Sequence, residues 1–487
     1  MNTIRRIAKN TIVMLAGDIA GKVLTFIFVI LSARYLQAEG FGVLSFALAF
    51  TGMFGIFSDI GFYELIVREV ARNKGIVNKY VENITSLKFI TLAVVYGLMC
   101  ITINTMKYPI QTIMVVYLIG LSVVVDAFTL VFNATFQAFE KMEYISFGKI
   151  LKNSILLIGA LLIIALKMEL ISFAWVYLIA SSSLLAYSFV IATKISVKPR
   201  LRIEVKFSKW LIKEGVTFWS AAVFATLLNN IDKVMLSLMV GDVAVGIYSA
   251  AFRLVSTLNF LPIAFMGSIY PVSSRLAIST KESLRFVFEK SVKYLLIIGI
   301  LIGLPVTFLS DKLILLIYGL EYAHSADVLR ILIWSQVLLF GSMAFENLFK
   351  SIGRQIIITY AMVIAVGLNV GMNWILIPKY SFIGASLSAF MARFITFLVF
   401  FIVVIKSEYK MSYKSLMNFL KLLLSILIVG GLTWIIRNFN DNALILTSLS
   451  LLVYVFAIVT LRIIDSSDIQ IIKGLIGKLS RIATKNK

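Results

Sequence analysis

Apolar segments about 20 residues long recur along this chain, and short polar loops separate them. An α-helix of that length crosses the roughly 30 Å hydrocarbon core of a bilayer. We count about fourteen such segments, of which the fifth and the thirteenth are the weakest. They are centred within residues 11–33, 41–62, 87–104, 110–132, 150–166, 171–192, 216–240, 244–270, 294–317, 328–349, 355–377, 382–405, 419–436 and 442–461. The sequence therefore predicts an all-α polytopic membrane protein with about 14 transmembrane helices.

The composition agrees, because 60% of the 487 residues are hydrophobic and only 14% are charged. The formal net charge of +22 would suggest nucleic acid as the partner of a soluble protein, so the positions of the basic residues decide. With the amino terminus inside, 35 of the 46 Lys and Arg residues fall on inner segments, 7 on outer loops and 4 within spans. This positive-inside pattern predicts a multi-pass plasma membrane protein with both termini in the cytoplasm. Anionic lipids then account for the basic loops, and no nucleic acid is needed.

The basic residues also mark the expected domain boundaries. Their richest inner loop, at 193–213, separates an N-terminal six-helix lobe at 1–192 from a C-terminal six-helix lobe at 214–405. Two additional transmembrane helices at 406–462 follow. A cytoplasmic amphipathic tail at 463–487 ends the chain, and apolar residues at helical spacing predict an interfacial helix at 469–482.

A short repeat suggests that the two halves are related. Gly42 and Gly246 each begin a G-x-x-S-x-A motif, at the starts of the second and the eighth spans, 204 residues apart. Because six spans separate the motifs, both copies have the same orientation, and the halves would be parallel repeats. A simpler interpretation also fits, in which small residues only allow helices to pack closely.

Charged residues inside the apolar spans are the main candidates for a functional site. Asp232 and Lys233 are adjacent in the seventh span, where each costs about 2.5 to 3.5 kcal/mol at a helix centre. Such side chains must face other helices or a water-filled cavity. Adjacent residues on a helix point about 100° apart, so we expect Asp232 and Lys233 to have different partners.

Other charges and amides in the spans belong to the same group. Asp18 and Lys22 are four residues apart in the first span, with the acid first, so they are expected to be able to pair. Asn369 and Asn373 share one face of the eleventh span. The remaining candidates are Arg253, Arg393, Asp126 and Glu346. The alternative to a functional role is that these residues form interhelical pairs that only fix packing.

Several longer stretches resemble a known family. They are KVLTFIFVILSARYLQAEGFGVLSFALAF, IDKVMLSLMVGDVAVGIYSAAFRL with LPIAFMGSIYPVSSR, and LNVGMNWILIPKYSFIGASLSA. The chain resembles the polysaccharide transporter family, which includes O-antigen flippases of the Wzx type and belongs to the multidrug/oligosaccharidyl-lipid/polysaccharide exporter superfamily. The resemblance covers essentially the whole chain. It implies two helical lobes around a central cavity, alternating access, and export of a lipid-linked oligosaccharide from the cytoplasmic to the outer leaflet.

The resemblance also suggests roles for the charges in the spans. Cations suit the phosphate groups of a lipid-linked sugar, and the candidates for substrate binding are Lys22, Lys233, Arg253 and Arg393. The candidates for coupling to H⁺ or Na⁺, or for ion pairing, are Asp18, Asp126, Asp232 and Glu346. The chain departs from similar flippases by having nearly as many buried acids as bases. We expect no cofactor and no resident metal. A polysaccharide polymerase is a candidate partner that the sequence does not decide.

Two other functions compete with a flippase. The first is an ion-coupled multidrug or small-molecule antiporter of the same superfamily, which usually has twelve helices and a more acidic cavity. The second is a membrane-embedded transferase, which would need acid, base or metal groups near the surface. The outer loops are short and the single histidine, His324, is predicted to lie in a loop, so we expect no enzyme. No GxxxxGK[ST] motif is present to bind ATP.

Overall fold

The computed structural model describes residues 3–195, 197, 200–437, 442–465 and 468. Those residues form fourteen α-helices and no β-strand, which confirms the all-α fold class. The helices are α1 (Thr3–Gly55), α2 (Phe62–Arg72), α3 (Val77–Thr105), α4 (Ile110–Ala138), α5 (Met142–Leu166), α6 (Leu170–Lys194), α7 (Val205–Met239), α8 (Asp242–Thr257), α9 (Phe260–Ser279), α10 (Lys281–Ile317), α11 (Ser325–Ser351), α12 (Ile356–Ile405), α13 (Tyr413–Arg437) and α14 (Ala443–Thr460).

Twelve stretches of the described chain are long and apolar enough to cross a membrane. Two of these stretches each contain two predicted spans, because a residue with positive φ interrupts an otherwise continuous helix. Gln37, with φ of 58°, interrupts α1, and Ser381, with φ of 51°, interrupts α12. The predicted number of spans therefore agrees with the structure. The two weakest predicted spans are both helical and correspond to α5 and α13.

The chain divides into two compact units. The first unit comprises Met1–Thr257, Ile314–Val328 and Ile358–Ala392, and the second comprises Leu258–Leu313, Leu329–Ile357 and Arg393–Lys487. Residue contacts are dense within each unit. The lobes at 1–192 and 214–405 stay a prediction. Most of the candidate site residues belong to the first unit.

Helices α1 and α5 approach each other closely at two glycines in the first unit. A Cβ atom added to Gly17 would lie 2.5 Å from the Cβ atom of Ser146. One turn later, the Asn153 side chain donates a hydrogen bond to the carbonyl oxygen of Gly21 at 3.1 Å. Gly17 and Gly21 form a small-x-x-x-small pattern that lets helix backbones come together, so α5 is held against the amino-terminal half of α1.

A second close approach joins the two copies of the G-x-x-S-x-A motif. A Cβ atom on Gly42 would overlap the carbonyl oxygen of Asp242, and a Cβ atom on Gly246 would overlap the carbonyl oxygen of Ala38. Each motif glycine therefore lies against the backbone of the other copy's helix. The packing interpretation of the motif explains this contact directly, and the repeat interpretation stays a prediction.

The second unit ties the first residues after α14 to α10. The fully buried Asp468 carboxylate accepts hydrogen bonds from Lys290 Nζ at 2.5 Å, from Tyr294 Oη at 2.6 Å, and from Lys293. Burial alone would raise the pKa of Asp468, but these hydrogen bonds outweigh burial and lower that pKa below its usual value. The interfacial helix predicted at 469–482 lies outside the described residues.

Candidate functional site

Asp232 lies in the interior of the first unit, held by neutral side chains. Its carboxylate accepts hydrogen bonds from Asn369 Nδ2 at 3.0 Å, Asn373 Nδ2 at 2.8 Å and Tyr248 Oη at 2.8 Å. The asparagines come from one face of α12, as their spacing predicts, and the tyrosine comes from α8. Asp232 is only 2% exposed. This Asp232 site therefore contains a dry carboxylate whose hydrogen-bond donors carry no charge.

The uncharged donors of the Asp232 site have an electrostatic consequence. Hydrogen bonds from neutral donors stabilise a buried carboxylate without neutralising it, which is costly in a low-dielectric interior. The adjacent Lys233 attracts the carboxylate electrostatically but does not hydrogen-bond to it. Asn373 also has a buried side-chain oxygen, Oδ1, without a hydrogen-bond partner. Asn373 Nδ2 also donates to Asn369 Oδ1 at 3.2 Å, so the carboxylate and the two amides form one hydrogen-bonded cluster. A proton on the carboxylate or a bound monovalent cation would remove the uncancelled charge.

Lys233 points away from this carboxylate, as expected for adjacent helical residues. Its Nζ atom lies 4.2 Å from the centre of the Phe252 ring and 3.5 Å from the Asn229 carbonyl oxygen. Arg253 follows Phe252 on α8 and is close enough to Lys233 for the two positive charges to repel each other. The structure thus brings together two of the predicted substrate-binding cations from neighbouring helices. Two like charges that act on each other from neighbouring helices favour an anionic ligand near them.

The acid in α1 has a partner that the sequence analysis did not name. The Asp18 carboxylate pairs with Lys149 Nζ from α5 at 2.7 Å. The physical reason is the Gly17 contact, because Ser146 against Gly17 places Lys149, one turn further along α5, beside Asp18. The Asp18–Lys22 pair suggested by spacing along α1 stays a prediction. Lys22 itself is exposed on α1.

The acid in α4 also pairs with a lysine from α5. Asp126 Oδ2 lies 2.5 Å from Lys152 Nζ, and the two side chains are 35% and 20% exposed. Lys149 and Lys152 are three residues apart and therefore share a face of α5. Each of these lysines binds an acid from a different neighbouring helix. Charged side chains that are partly exposed within membrane spans line water-filled space rather than lipid, so this face of α5 is wet.

A third acid and lysine pair in the first unit includes a lysine that the sequence analysis did not single out. Lys88 of α3 is fully buried, and its Nζ atom lies 3.0 Å from Asp59 Oδ1 and 3.0 Å from the Ala127 carbonyl oxygen. Asp59 lies in the break between α1 and α2, next to Gly61, whose φ is 70°. The lysine therefore fixes a broken helix against α3 and α4. The sequence feature that could have identified this residue is a lysine within an apolar run.

The other two candidates lie in the second unit. Glu346 Oε2 lies 3.3 Å from Lys350 Nζ, one turn along α11. Arg393 is in the second half of α12. Their assignment to ion coupling or to substrate binding stays a prediction.

Comparison with known families decides the family of this chain. The family model described as "Polysaccharide biosynthesis protein" matches residues 7–277, which is more than half of the chain. The chain belongs to the polysaccharide biosynthesis protein family. A second family model, MatE, matches residues 221–375. The predicted membership of the polysaccharide transporter family and its superfamily is thereby confirmed.

Curated relatives in the polysaccharide biosynthesis protein family align over most of their length. The chain is 23% identical over 416 residues to "Capsular polysaccharide biosynthesis protein CapF" of Staphylococcus aureus, covering 81% of this chain and 98% of that protein. It is 21% identical over 397 residues to "Probable low-salt glycan biosynthesis flippase Agl15" of Haloferax volcanii, covering 78% and 80%. Both relatives are similar to this chain along its length rather than in one motif.

Solved structures agree on the fold. "Lipid II flippase MurJ, inward closed conformation" aligns with a TM-score of 0.72 at 17% identity, covering 93% of this chain and 99% of that chain. An inward-facing multidrug resistance MATE family transporter aligns with a TM-score of 0.61 at 15% identity, covering 81% and 98%. At these identities the likeness concerns the fold, which is the fold of a multi-pass membrane transporter.

Proposed function

We propose that this protein is a flippase that moves a lipid-linked oligosaccharide from the cytoplasmic to the outer leaflet by alternating access. The family match and the names of the curated relatives support a role in polysaccharide export. The observation in the first unit that carries the proposal is that the positive charges of Lys233 and Arg253, from α7 and α8, act on each other. Two cations at membrane depth suit the diphosphate or phosphate that joins a sugar to its lipid carrier. No catalytic step is part of this function.

We further propose that the Asp232 site couples transport to a monovalent cation, H⁺ or Na⁺. A bound cation would neutralise the buried carboxylate held by Tyr248, Asn369 and Asn373. Asp232 is adjacent to Lys233 in α7, so a change in the charge or position of Asp232 acts on the same helix that presents Lys233 to the substrate. Among the four acids considered from the sequence, Asp232 is the one whose hydrogen-bond partners are all neutral.

The test of substrate binding is flipping of defined lipid-linked sugars in proteoliposomes. Lys233→Ala and Arg253→Ala should fold with nearly normal yield in detergent, because both side chains are only partly buried, yet transport should fall sharply. Lys233→Arg, which keeps the charge, should retain more transport than Lys233→Ala. Normal yield with normal transport in both alanine variants would contradict the phosphate site. Low yield restored by also neutralising Asp232 would instead establish a structural pair.

The alternative function is an ion-coupled multidrug or small-molecule antiporter. The match of the MatE family model to residues 221–375 favours it, and so does the likeness to a MATE transporter fold. Cells without the protein distinguish the two functions. A flippase predicts accumulation of lipid-linked oligosaccharide on the cytoplasmic face and loss of a surface glycan. Unchanged surface glycans with greater sensitivity to cationic drugs would favour the antiporter.

We also propose that both termini lie in the cytoplasm and that anionic lipids bind the inner loops. Reporter fusions after Lys9, Pro199 and Lys487 should report cytoplasm, and fusions at Gly241 and Lys379 should report the exterior. An exterior carboxyl terminus would remove the fourteen-span topology. A polysaccharide polymerase that receives the flipped substrate is a further expected partner, which crosslinking in native membranes would reveal.

A further inference from the structure

The described residues just before α7 pack along α3. Residues 200–204 have no regular secondary structure, and two of their backbone N–H groups donate to side chains of α3. Arg202 N donates to Ser86 Oγ at 2.9 Å, and Glu204 N donates to Asn83 Oδ1 at 2.7 Å. The two acceptors are three residues apart on α3 and therefore lie on one face of that helix.

The amino-terminal part of this segment lies deeper than its carboxyl-terminal part in the predicted topology. In the predicted topology α3 enters the membrane from the cytoplasm, so Ser86 lies about 10 Å deeper than Lys79, at 1.5 Å per residue. Lys79 pairs with Glu204 at 3.1 Å at the shallow end. Arg202 is therefore placed near the depth where head groups meet acyl chains, rather than in bulk cytoplasm.

The segment and α3 enclose an open groove of about 310 Å³. Its lining residues are Ser86, Phe89, Ile90, Leu201, Arg202 and Ile203. Leu201 is 69% exposed and Phe89 is 53% exposed, and such apolar exposure at the edge of a membrane span is covered by lipid rather than by water. Arg202 thus shares the groove with apolar side chains that would face acyl chains.

The charge of the groove favours an anion. The Glu204 carboxylate is shared between Lys79 at 3.1 Å and Arg202 at 3.5 Å. One carboxylate therefore serves two cations, and Arg200 adds a third positive charge two residues away. Arginine has five N–H donors in a planar fork that matches phosphate oxygens. A ligand that joins a phosphate to an apolar chain complements both parts of the groove.

We propose that this groove binds an anionic phospholipid, with its phosphate on Arg202 and an acyl chain against Leu201, Phe89 and Ile90. The bound lipid would hold the connection between α6 and α7 on α3. The proposal concerns a structural lipid on the bilayer-facing side of α3, and it does not depend on which substrate the protein transports.

The test compares dioleoyl phosphatidylglycerol with dioleoyl phosphatidylcholine as additives to the purified protein in detergent, with thermal unfolding and native mass spectrometry as readouts. Phosphatidylglycerol should raise the midpoint of thermal unfolding of the wild type more than phosphatidylcholine does. Arg202→Gln should weaken phosphatidylglycerol binding about fivefold, which corresponds to the ~1 kcal/mol contributed by one surface cation. Arg202→Lys should retain most of the binding.

Arg72→Gln is the matched control, because Arg72 is 71% exposed and pairs with Glu69 at 3.6 Å, while Arg202 is 67% exposed and pairs with Glu204 at 3.5 Å. Arg72 does not line the groove, so its substitution should leave the preference for phosphatidylglycerol unchanged. Leu201→Ser tests the apolar half and should reduce binding of both lipids. Equal losses in Arg72→Gln and Arg202→Gln, or equal stabilisation by both lipids in the wild type, would overturn the proposal.

Discussion

Asp232 and Asp126 are both aspartates inside membrane spans of the first unit, but they are held in opposite ways. Asp232 is 2% exposed and receives hydrogen bonds from three neutral side chains. Asp126 is 35% exposed and pairs with Lys152. A lysine partner neutralises an acid for as long as the pair persists. Neutral donors do not neutralise it, so a proton or a cation that binds and leaves can do so. The comparison separates an acid suited to coupling from an acid suited to packing.

The largest difference between the two acids should appear when Asp232 is neutralised. Asp232→Asn is expected to remove the dependence of flipping on a cation gradient, lowering gradient-driven transport about 100-fold, within the range of typical coupling free energies. The measurement is flipping in proteoliposomes with Na⁺ and H⁺ gradients imposed separately, which also identifies the ion. Asp18→Asn is the control. Its partner Lys149 is 47% exposed and can be solvated without the carboxylate, so transport by this variant should still depend on the gradient. The same loss in both variants would end the distinction.

The Asp126 pair should matter for stability rather than for coupling. Lys152→Ala leaves the Asp126 carboxylate without its cation, and Asp126 Oδ1 already has no hydrogen-bond partner. We expect the free energy of unfolding to fall by roughly 1–3 kcal/mol, less than the 3–5 kcal/mol for a fully buried charge, because water reaches the pair. Thermal unfolding of Lys152→Ala, Asp126→Ala and the double variant forms a cycle. A double variant less stable than Lys152→Ala would contradict the pair.

Removing one donor from the Asp232 site should strengthen cation binding. Tyr248→Phe deletes the hydroxyl group that donates to Asp232 Oδ2, so the carboxylate without its cation loses a stabilising hydrogen bond to a charged group, valued at about 1.5–3 kcal/mol. The cation concentration for half-maximal flipping is then expected to fall about tenfold. A titration of transport against the coupling ion measures this shift. A higher cation requirement would mean that Tyr248 helps to bind the cation instead.

The smallest effect is expected at the more exposed of the two ion pairs that α5 forms with neighbouring helices. Lys149→Ala breaks the pair with Asp18, whose side chains are 47% and 40% exposed. Exposed pairs contribute about 0–1 kcal/mol to stability, so the midpoint of thermal unfolding should change little. A decrease as large as that of Lys152→Ala would show that the two pairs share one dry environment and would weaken the contrast with Asp232.

Most of the fold could be predicted from hydropathy alone, because a span is a local property of about 20 residues. The same is true of Asn369 and Asn373, whose shared face follows from helical spacing. Hydropathy could not show that two pairs of spans are continuous helices broken only at Gln37 and Ser381, since a single positive φ has no apolar signature.

The acid and lysine pairs of the first unit were harder to predict, because they depend on which helices touch. Spacing along α1 suggested Asp18 with Lys22, since the i, i+4 rule considers only one helix. The contact of Gly17 with Ser146 places Lys149 of α5 beside Asp18, and spacing along α1 cannot show that pair. The pattern Gly17-x-x-x-Gly21 was visible in the sequence and marks a close helix approach, but a sequence alone does not name the partner helix.

The contact between the two glycine motifs has a kinetic consequence. Gly42 and Gly246 meet the opposite helix through backbone atoms, so at this point of α1 and α8 no side chain has to leave one rotamer and find another when the helices part. Little apolar surface would be exposed there either, since glycine carries none beyond its backbone. We expect the helix contact at these glycines to open and to form again with a low free-energy barrier. A methyl group at either glycine would overlap the opposite backbone and prevent the contact from forming.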